Sequence, residues 1–245
     1  MKKHRRKLLA VLGGTLLALG APPTDIYPAV LLSVLVLTLL AYEAETFWRG
    51  FGLGWLWGTA AQLIGMRFVP SVIELFTPLG SGLALLAHVL LSAAQSLHWA
   101  LGIGLAAWLH KRARAPLEVA IGSGVFVALQ LPSVFLWTPA AVMSPWPVVV
   151  QLADIIGERG VSVLMAVLMA MLIRVALAYR LHHAWVRAVW MPLAAASAIT
   201  AGVVGYGVWA LARWSRPSEL GTARIALIHA GVHPKERWQP RNWPR

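Results

Sequence analysis

Residues 157–179 read GERGVSVLMAVLMAMLIRVALAY, and this apolar run decides the class of fold. A helix rises about 1.5 Å per residue, so about 20 residues cross the roughly 30 Å of hydrocarbon in a bilayer. Residues 157–179 therefore have the length and composition of a transmembrane helix.

The composition of the whole chain agrees with a membrane protein. Of its 245 residues, 59% are hydrophobic and 12% are charged, and the mean hydropathy is +0.69. A soluble domain has about 25% charged residues. A soluble fold could not bury this much apolar surface, so most of it must face lipid or other membrane helices.

Apolar runs recur along the chain and predict an all-α polytopic membrane protein with about seven transmembrane helices. The predicted spans are residues 7–21, 27–43, 51–70, 80–109, 116–137, 157–179 and 188–212. The run 80–109 is long for one crossing but too short for two spans and a loop, so it is predicted to be a tilted span or a span with an interfacial turn. The predicted count is therefore seven, with six or eight spans as alternatives. The first run follows MKKHRRK like a signal peptide, but Pro22 and Pro23 make a poor cleavage context and favour an uncleaved span.

The basic residues between the runs predict the orientation. Lys and Arg number 21 against 9 Asp and Glu, which gives a net charge of +12. Most basic residues that flank the predicted spans lie on the same side of the membrane as the N-terminus. They are Lys2, Lys3, Arg5, Arg6, Lys7, Arg49, Lys111, Arg112, Arg114, Arg180 and Arg187. The positive-inside rule then predicts a cytoplasmic N-terminus, and an odd number of spans places the tail after Trp214 outside. This pattern explains the charge without nucleic acid as a partner.

Charged residues near the predicted outer ends of the spans are candidate lipid contacts. Arg67 and Glu74 are seven residues apart, so a continuous helix would place both on one face. Glu158 and Arg159 are expected to pair at the outer interface, and Asp154 lies four residues before Glu158. The alternative for Arg67 and Glu74 is that they only extend towards water. Two carboxylates four apart could in principle transfer protons, but the interfacial interpretation is favoured.

The segment TPAAVMSPWPVVVQLADIIG, residues 138–157, is apolar and contains three prolines. A loop in water would be more polar, so this segment is predicted to be packed as a re-entrant or interfacial piece. Trp137 and Trp146 are expected at the level of the lipid headgroups.

Other polar and small residues predict packing rather than chemistry. His88 and Gln95 share a helix face and predict hydrogen bonds between helices. Gly50, Gly54 and Gly58 predict a close approach of a neighbouring helix. The sequence has no Cys, no metal-ligand spacing and no hydrolase motif. It therefore predicts no catalytic residue, no metal site and no cofactor in this chain.

Several segments together resemble the apolipoprotein N-acyltransferase family. They are LLAVLGGTLLALGAPP (8–23), FWRGFGLGWLWGTAAQLIGMRFVPSVIELF (47–76), VFLWTP (134–139), QLADIIGERGVSVLMAVLMAML (151–172) and RIALIHAGVHPKERWQP (224–240). The last segment resembles the first strand and following loop of the family's nitrilase-like domain. Two positions depart from the family pattern, because His229 replaces a Gln and Leu136 replaces a Pro.

The resemblance implies two domains and a location. Residues 1–214 would form the multi-span domain in the bacterial inner membrane. Residues 215–245 would be a linker and the incomplete start of a periplasmic α/β nitrilase-like domain, from a truncated or split protein. Trp238 matches a family Trp, which implies a position near the substrate entrance.

The resemblance also implies a reaction, the transfer of an acyl chain from phospholipid to the N-terminal diacylglyceryl-cysteine of a lipoprotein. The family uses a Glu-Lys-Cys triad that no residue here matches, so the chain alone is expected to be inactive. The expected partners are membrane phospholipid, and a lipoprotein substrate or a separate nitrilase-like catalytic chain. The alternative is a non-catalytic lipid-binding or scaffold protein derived from the family. A transporter is less favoured, because no pair of interrupted helices repeats.

Overall fold

A computed structural model describes residues 3–135, 137–184, 186–215 and Ala226, and the regular structure in this part of the chain is helical. The helices are α1 (Lys3–Gly20), α2 (Tyr27–Glu43), α3 (Phe47–Gly65), α4 (Val69–Phe76), α5 (Ser81–Gln95), α6 (Leu97–Lys111), α7 (Leu117–Gln130), α8 (Pro139–Val142), α9 (Pro147–Val150), α10 (Ala153–His182) and α11 (Arg187–Trp214). The predicted strand at residues 224–228 lies almost wholly outside the described residues, so it stays a prediction, as does the division at residue 214.

Three helical stretches in the described part are long and apolar enough to cross a membrane. They are Ser81–Lys111, which joins α5 and α6, and the helices α10 and α11. Helices α2 and α7 are apolar but shorter. The fold is thus that of a helical membrane protein, as predicted, while the number of crossings and the sides of the termini stay predictions.

Two predicted spans end earlier than the hydropathy suggests. The span 51–70 stops as a helix at Gly65, and Pro70 lies in the first turn of a new helix, α4. Proline is favoured there because the first turn has no use for its missing N–H. The span 116–137 stops at Gln130, because Pro132 holds Leu131 in an extended conformation (ψ 145°).

The long run 80–109 is interrupted at Ser96. The Ser96 hydroxyl donates a 2.6 Å hydrogen bond to the Ser92 carbonyl, one turn earlier. Such a bond competes with the regular helical ladder. Whether this stretch is a tilted span or a span with an interfacial turn stays a prediction. Its two halves have different surroundings: α6 packs between α3 and α7, whereas α5 packs mainly on α3 and α4.

The centre of the bundle is the crossing of α3 and α6. Trp57 of α3 and Trp99 of α6 are almost fully buried and meet edge to face, with ring centroids 5.0 Å apart. The predicted close approach at Gly50, Gly54 and Gly58 is confirmed. A Cβ at position 54 would lie 2.6 Å from the Trp99 carbonyl oxygen, so only glycine fits at this point.

Around this crossing, α1 packs on α3 and α7 packs on α6. Helix α2 packs mainly on α1, α10 packs on both α7 and α2, and α11 packs on α10. The outer faces carry exposed apolar side chains, for example Leu86 and Leu90 of α5 at 52% and 61% exposure. Exposed leucines at this density are expected where lipid is the solvent. The apolar segment 138–157 is packed in part, as predicted, because Ala140, Val142 and Met143 are buried.

We predict that Gly54→Ala destabilises the bundle by about 1–3 kcal/mol, the usual cost of overpacking a core, because its methyl group would collide with backbone atoms. The matched control is Gly52→Ala in the same helix, where an added Cβ meets nothing within 4 Å. Thermal unfolding in detergent micelles, followed by circular dichroism, measures both. Equal midpoints for the two variants would contradict the close crossing.

Candidate functional site

Helix α10 is broken near its start at Gly157. This residue has φ 73° and ψ 162°, a conformation that is essentially restricted to glycine. The main part of α10 therefore begins at Glu158, and Asp154 belongs to a separate turn. The two carboxylates are four residues apart in sequence but do not lie on one continuous helix.

A groove of about 500 Å³ lies beside this break, between α7 and α10. Phe126 of α7 and Ile156 and Val163 of α10 supply apolar side chains to its lining. Its polar part includes Glu158 and Arg159. An apolar wall next to an exposed guanidinium suits an amphiphile that has an anionic or polar head.

The two charged residues of the groove have separate partners. Thr138 donates a short hydrogen bond to the Glu158 carboxylate. Arg159 donates to the side-chain oxygen of Gln130 at 3.0 Å, at the end of α7. No ion pair joins Glu158 to Arg159 within the described residues, so the predicted pairing is replaced by contacts to two other segments.

Thr138 is the residue that sequence reasoning missed. Its hydroxyl also accepts from the Ala141 amide at 3.1 Å and caps α8, while the Ala140 amide donates to the Ser162 hydroxyl at 3.0 Å. A Thr followed by Pro is typical of the start of a helix, so the sequence Thr138-Pro139 could have predicted this cap. No local sequence pattern predicts the hydrogen bond from Thr138 to Glu158, which is 20 residues away.

A buried glutamine holds the segment that precedes Thr138. The Gln95 side-chain oxygen accepts from the Phe135 amide at 2.8 Å and from the Ser133 hydroxyl at 2.9 Å. The expectation of helix-to-helix hydrogen bonds holds for His88, whose Nε2 lies 3.1 Å from the Leu63 carbonyl of α3. For Gln95 the main partner is instead the chain after α7.

Two tryptophans, Trp137 and Trp238, were also predicted to contact lipid or substrate. The ring of Trp137 is half-buried against Gly65 at the end of α3, where a Cβ would lie 2.3 Å from its Cη2. Trp137 therefore helps to pack the bundle, and its level in a bilayer stays a prediction. Trp238 lies outside the described residues.

Arg67 and Glu74 are exposed, and neither side chain has a hydrogen bond or ion pair within the described residues. Arg67 is in the turn after α3 and Glu74 is in α4, so no continuous helix places both on one face. Phe68 contacts Phe135 with centroids 6.3 Å apart, which brings this turn next to the segment before Thr138. Within the described residues, no group of three or more His, Asp or Glu side chains could hold a metal.

We predict that Gln95→Leu loosens residues 131–135, because the Phe135 amide loses its acceptor. A typical hydrogen bond contributes about 0.5–1.5 kcal/mol, so amide exchange in this segment should accelerate by about threefold to tenfold. The control Ser133→Ala removes one donor and keeps the amide bond, and should change exchange less. Hydrogen–deuterium exchange with mass spectrometry measures both, and unchanged exchange in Gln95→Leu would refute this role.

Comparison with known proteins gives a consistent set of relatives. Residues 13–172 match the family model of the apolipoprotein N-acyltransferase N-terminal domain. The chain is 25% identical, over 98% of its length, to the apolipoprotein N-acyltransferase of Vibrio parahaemolyticus serotype O3:K6. It is 30% identical, over 95% of its length, to the protein of the same name from Gloeobacter violaceus.

The chain spans less than half the length of these relatives, 46% of the first and 44% of the second. The family model covers more than half of the chain, and the matched residues 13–172 include the α3–α6 crossing, α7 and the groove beside Gly157. The chain therefore belongs to the apolipoprotein N-acyltransferase family and corresponds to its N-terminal part.

Proposed function

We propose that this chain is the membrane part of an enzyme system that N-acylates lipoproteins. In this proposal an acyl chain moves from a phospholipid to the α-amino group of an N-terminal diacylglyceryl-cysteine. The chain would lie in the bacterial inner membrane with seven crossings and a cytoplasmic N-terminus. Residues 215–245 would be periplasmic and would begin the nitrilase-like domain.

The observation that carries this proposal is the groove between α7 and α10. Its apolar wall, with Phe126 and Val163, suits an acyl chain, and Arg159 suits a phosphate group at the end of that wall. Arg159 is exposed and its one described partner is the neutral amide of Gln130, so its charge is not cancelled by a carboxylate. The function of the groove would be to hold the phospholipid donor.

The chain segments around the groove would keep it in one shape. Gly157 sets the direction of α10, and the Thr138–Glu158 bond attaches α8 to the start of its main helix. Gln95 holds the segment between α7 and α8. A donor site that is preorganised in this way loses less freedom when the lipid binds.

We predict that Arg159→Gln lowers labelling of the groove by a photoreactive phospholipid about fivefold. This corresponds to about 1 kcal/mol, the upper range for an exposed charge pair. The control Arg67→Gln removes another exposed arginine, in the turn after α3, and should leave labelling at Phe126 and Val163 unchanged. Peptide mapping after crosslinking measures the yield. Unchanged labelling in Arg159→Gln, or equal loss in both variants, would argue against the groove as the donor site.

We predict that the purified chain gives no triacylated product from phospholipid and a diacylglyceryl lipopeptide. The thioester chemistry that the family resemblance implies needs a Cys nucleophile, and the sequence contains none. Addition of a nitrilase-like chain with Glu, Lys and Cys should yield product, while that chain alone should yield less. Mass spectrometry of the lipopeptide measures the result. Triacylated product from the purified chain alone would overturn the proposal that a separate nitrilase-like domain supplies the catalytic residues.

A further inference from the structure

A second groove lies between α10 and α11, far from the first one. Its volume is about 470 Å³, and its lining includes Glu118 at the start of α7, Arg174 of α10 and Arg187 at the start of α11. Arg159 and Arg174 are 15 residues apart on α10, so about 22 Å separates the two grooves along the helix axis. The second groove is therefore not part of the proposed donor site.

The charges in this second groove do not cancel. Arg174 forms a short ion pair with the Glu118 carboxylate, whose second oxygen is buried and has no hydrogen-bond partner within the described residues. Arg187 is exposed, and its Nε lies 3.1 Å from the Met191 sulfur, which is a weak acceptor. The terminal nitrogens of Arg187 have no described partner, which leaves one uncompensated guanidinium at the groove.

The rest of the lining is apolar. Met171 of α10 and Met191, Pro192 and Ala195 of α11 form this part. Both helices are long and apolar enough to cross a membrane, so this wall continues into surface that lipid would cover. A guanidinium can donate two parallel hydrogen bonds to a phosphate, and flexible Met side chains adapt to acyl chains.

More positive charge lies close to the groove along the chain. Arg112 and Arg114 lie in the turn before α7, which carries Glu118 in its first turn, and Arg180 is in the last turn of α10, six residues after Arg174. Basic pockets between transmembrane helices at such an end are typical sites for anionic lipid headgroups.

We infer that the groove at Glu118, Arg174 and Arg187 binds the headgroup of an anionic phospholipid, with the phosphate on Arg187 and an acyl chain along Met171, Met191 and Pro192. The Glu118–Arg174 ion pair lines the groove beside Arg187. An electrically neutral phospholipid would leave the excess positive charge uncompensated, so the site selects anionic headgroups. This site is separate from the proposed donor groove, and its occupation would anchor α11 to α10.

The experiment uses native mass spectrometry of the full chain in detergent micelles that contain phosphatidylglycerol or phosphatidylcholine. We expect the wild-type chain to retain more phosphatidylglycerol than phosphatidylcholine. Arg187→Gln should lower the retained phosphatidylglycerol about fivefold. Arg187→Lys should lower it less, because lysine keeps the positive charge but cannot donate two parallel hydrogen bonds to one phosphate. Arg187 holds no ion pair, so its replacement should leave the fold intact.

The matched control is Arg213→Gln, in the last turn of α11, which removes the same charge at the other end of the helix. It should leave the retention of phosphatidylglycerol unchanged. Three results would overturn the assignment: unchanged retention in Arg187→Gln, equal retention of the two lipids, or equal loss in the control. Displacement of phosphatidylglycerol by millimolar inorganic phosphate alone would show a site for soluble anions, and would also overturn it.

Discussion

The close crossing of α3 and α6 is the constraint on which the rest of the structure depends. Lipid offers no hydrophobic force to join two helices, so they must gain their association from dense packing. Glycines in α3 let the backbone of α6 approach so closely that a Cβ at Gly50 or Gly54 would collide with a carbonyl oxygen of α6. The buried Trp57–Trp99 pair then fills the space beside that contact. Because α6 also packs on α7, this crossing fixes where α7 and the groove beside it lie.

The apolar runs and the low content of charged residues predicted the class of fold, because a bilayer requires apolar helices of a certain length. The ends of the helices were less predictable. Hydropathy continues past Gly65 and Gln130, whereas Pro70 and Pro132 set the backbone there. Local chemistry therefore decides where a helix stops, and lipid decides only that a helix exists.

The site was only half predictable. Glu158 and Arg159 were recognised as charges near the end of an apolar run. Their partners are 20 and 29 residues away in sequence, and no local pattern connects them. The two residues are also neighbours in sequence, which made a pair between them the simplest expectation. Gly157 changes the backbone direction just before them, so each side chain meets a different segment.

The stretch Ser81–Lys111 has a consequence for the bilayer itself. Its 31 residues span about 46 Å, well beyond the roughly 30 Å of hydrocarbon. In a straight crossing, steep tilt or a locally thicker membrane would absorb the excess, which is a hydrophobic mismatch. Exposed leucines such as Leu86 and Leu90 lie on the outer face of α5, so the lipid on that face would meet the excess. The protein would therefore deform the surrounding lipid asymmetrically, and membrane thickness would influence where it resides.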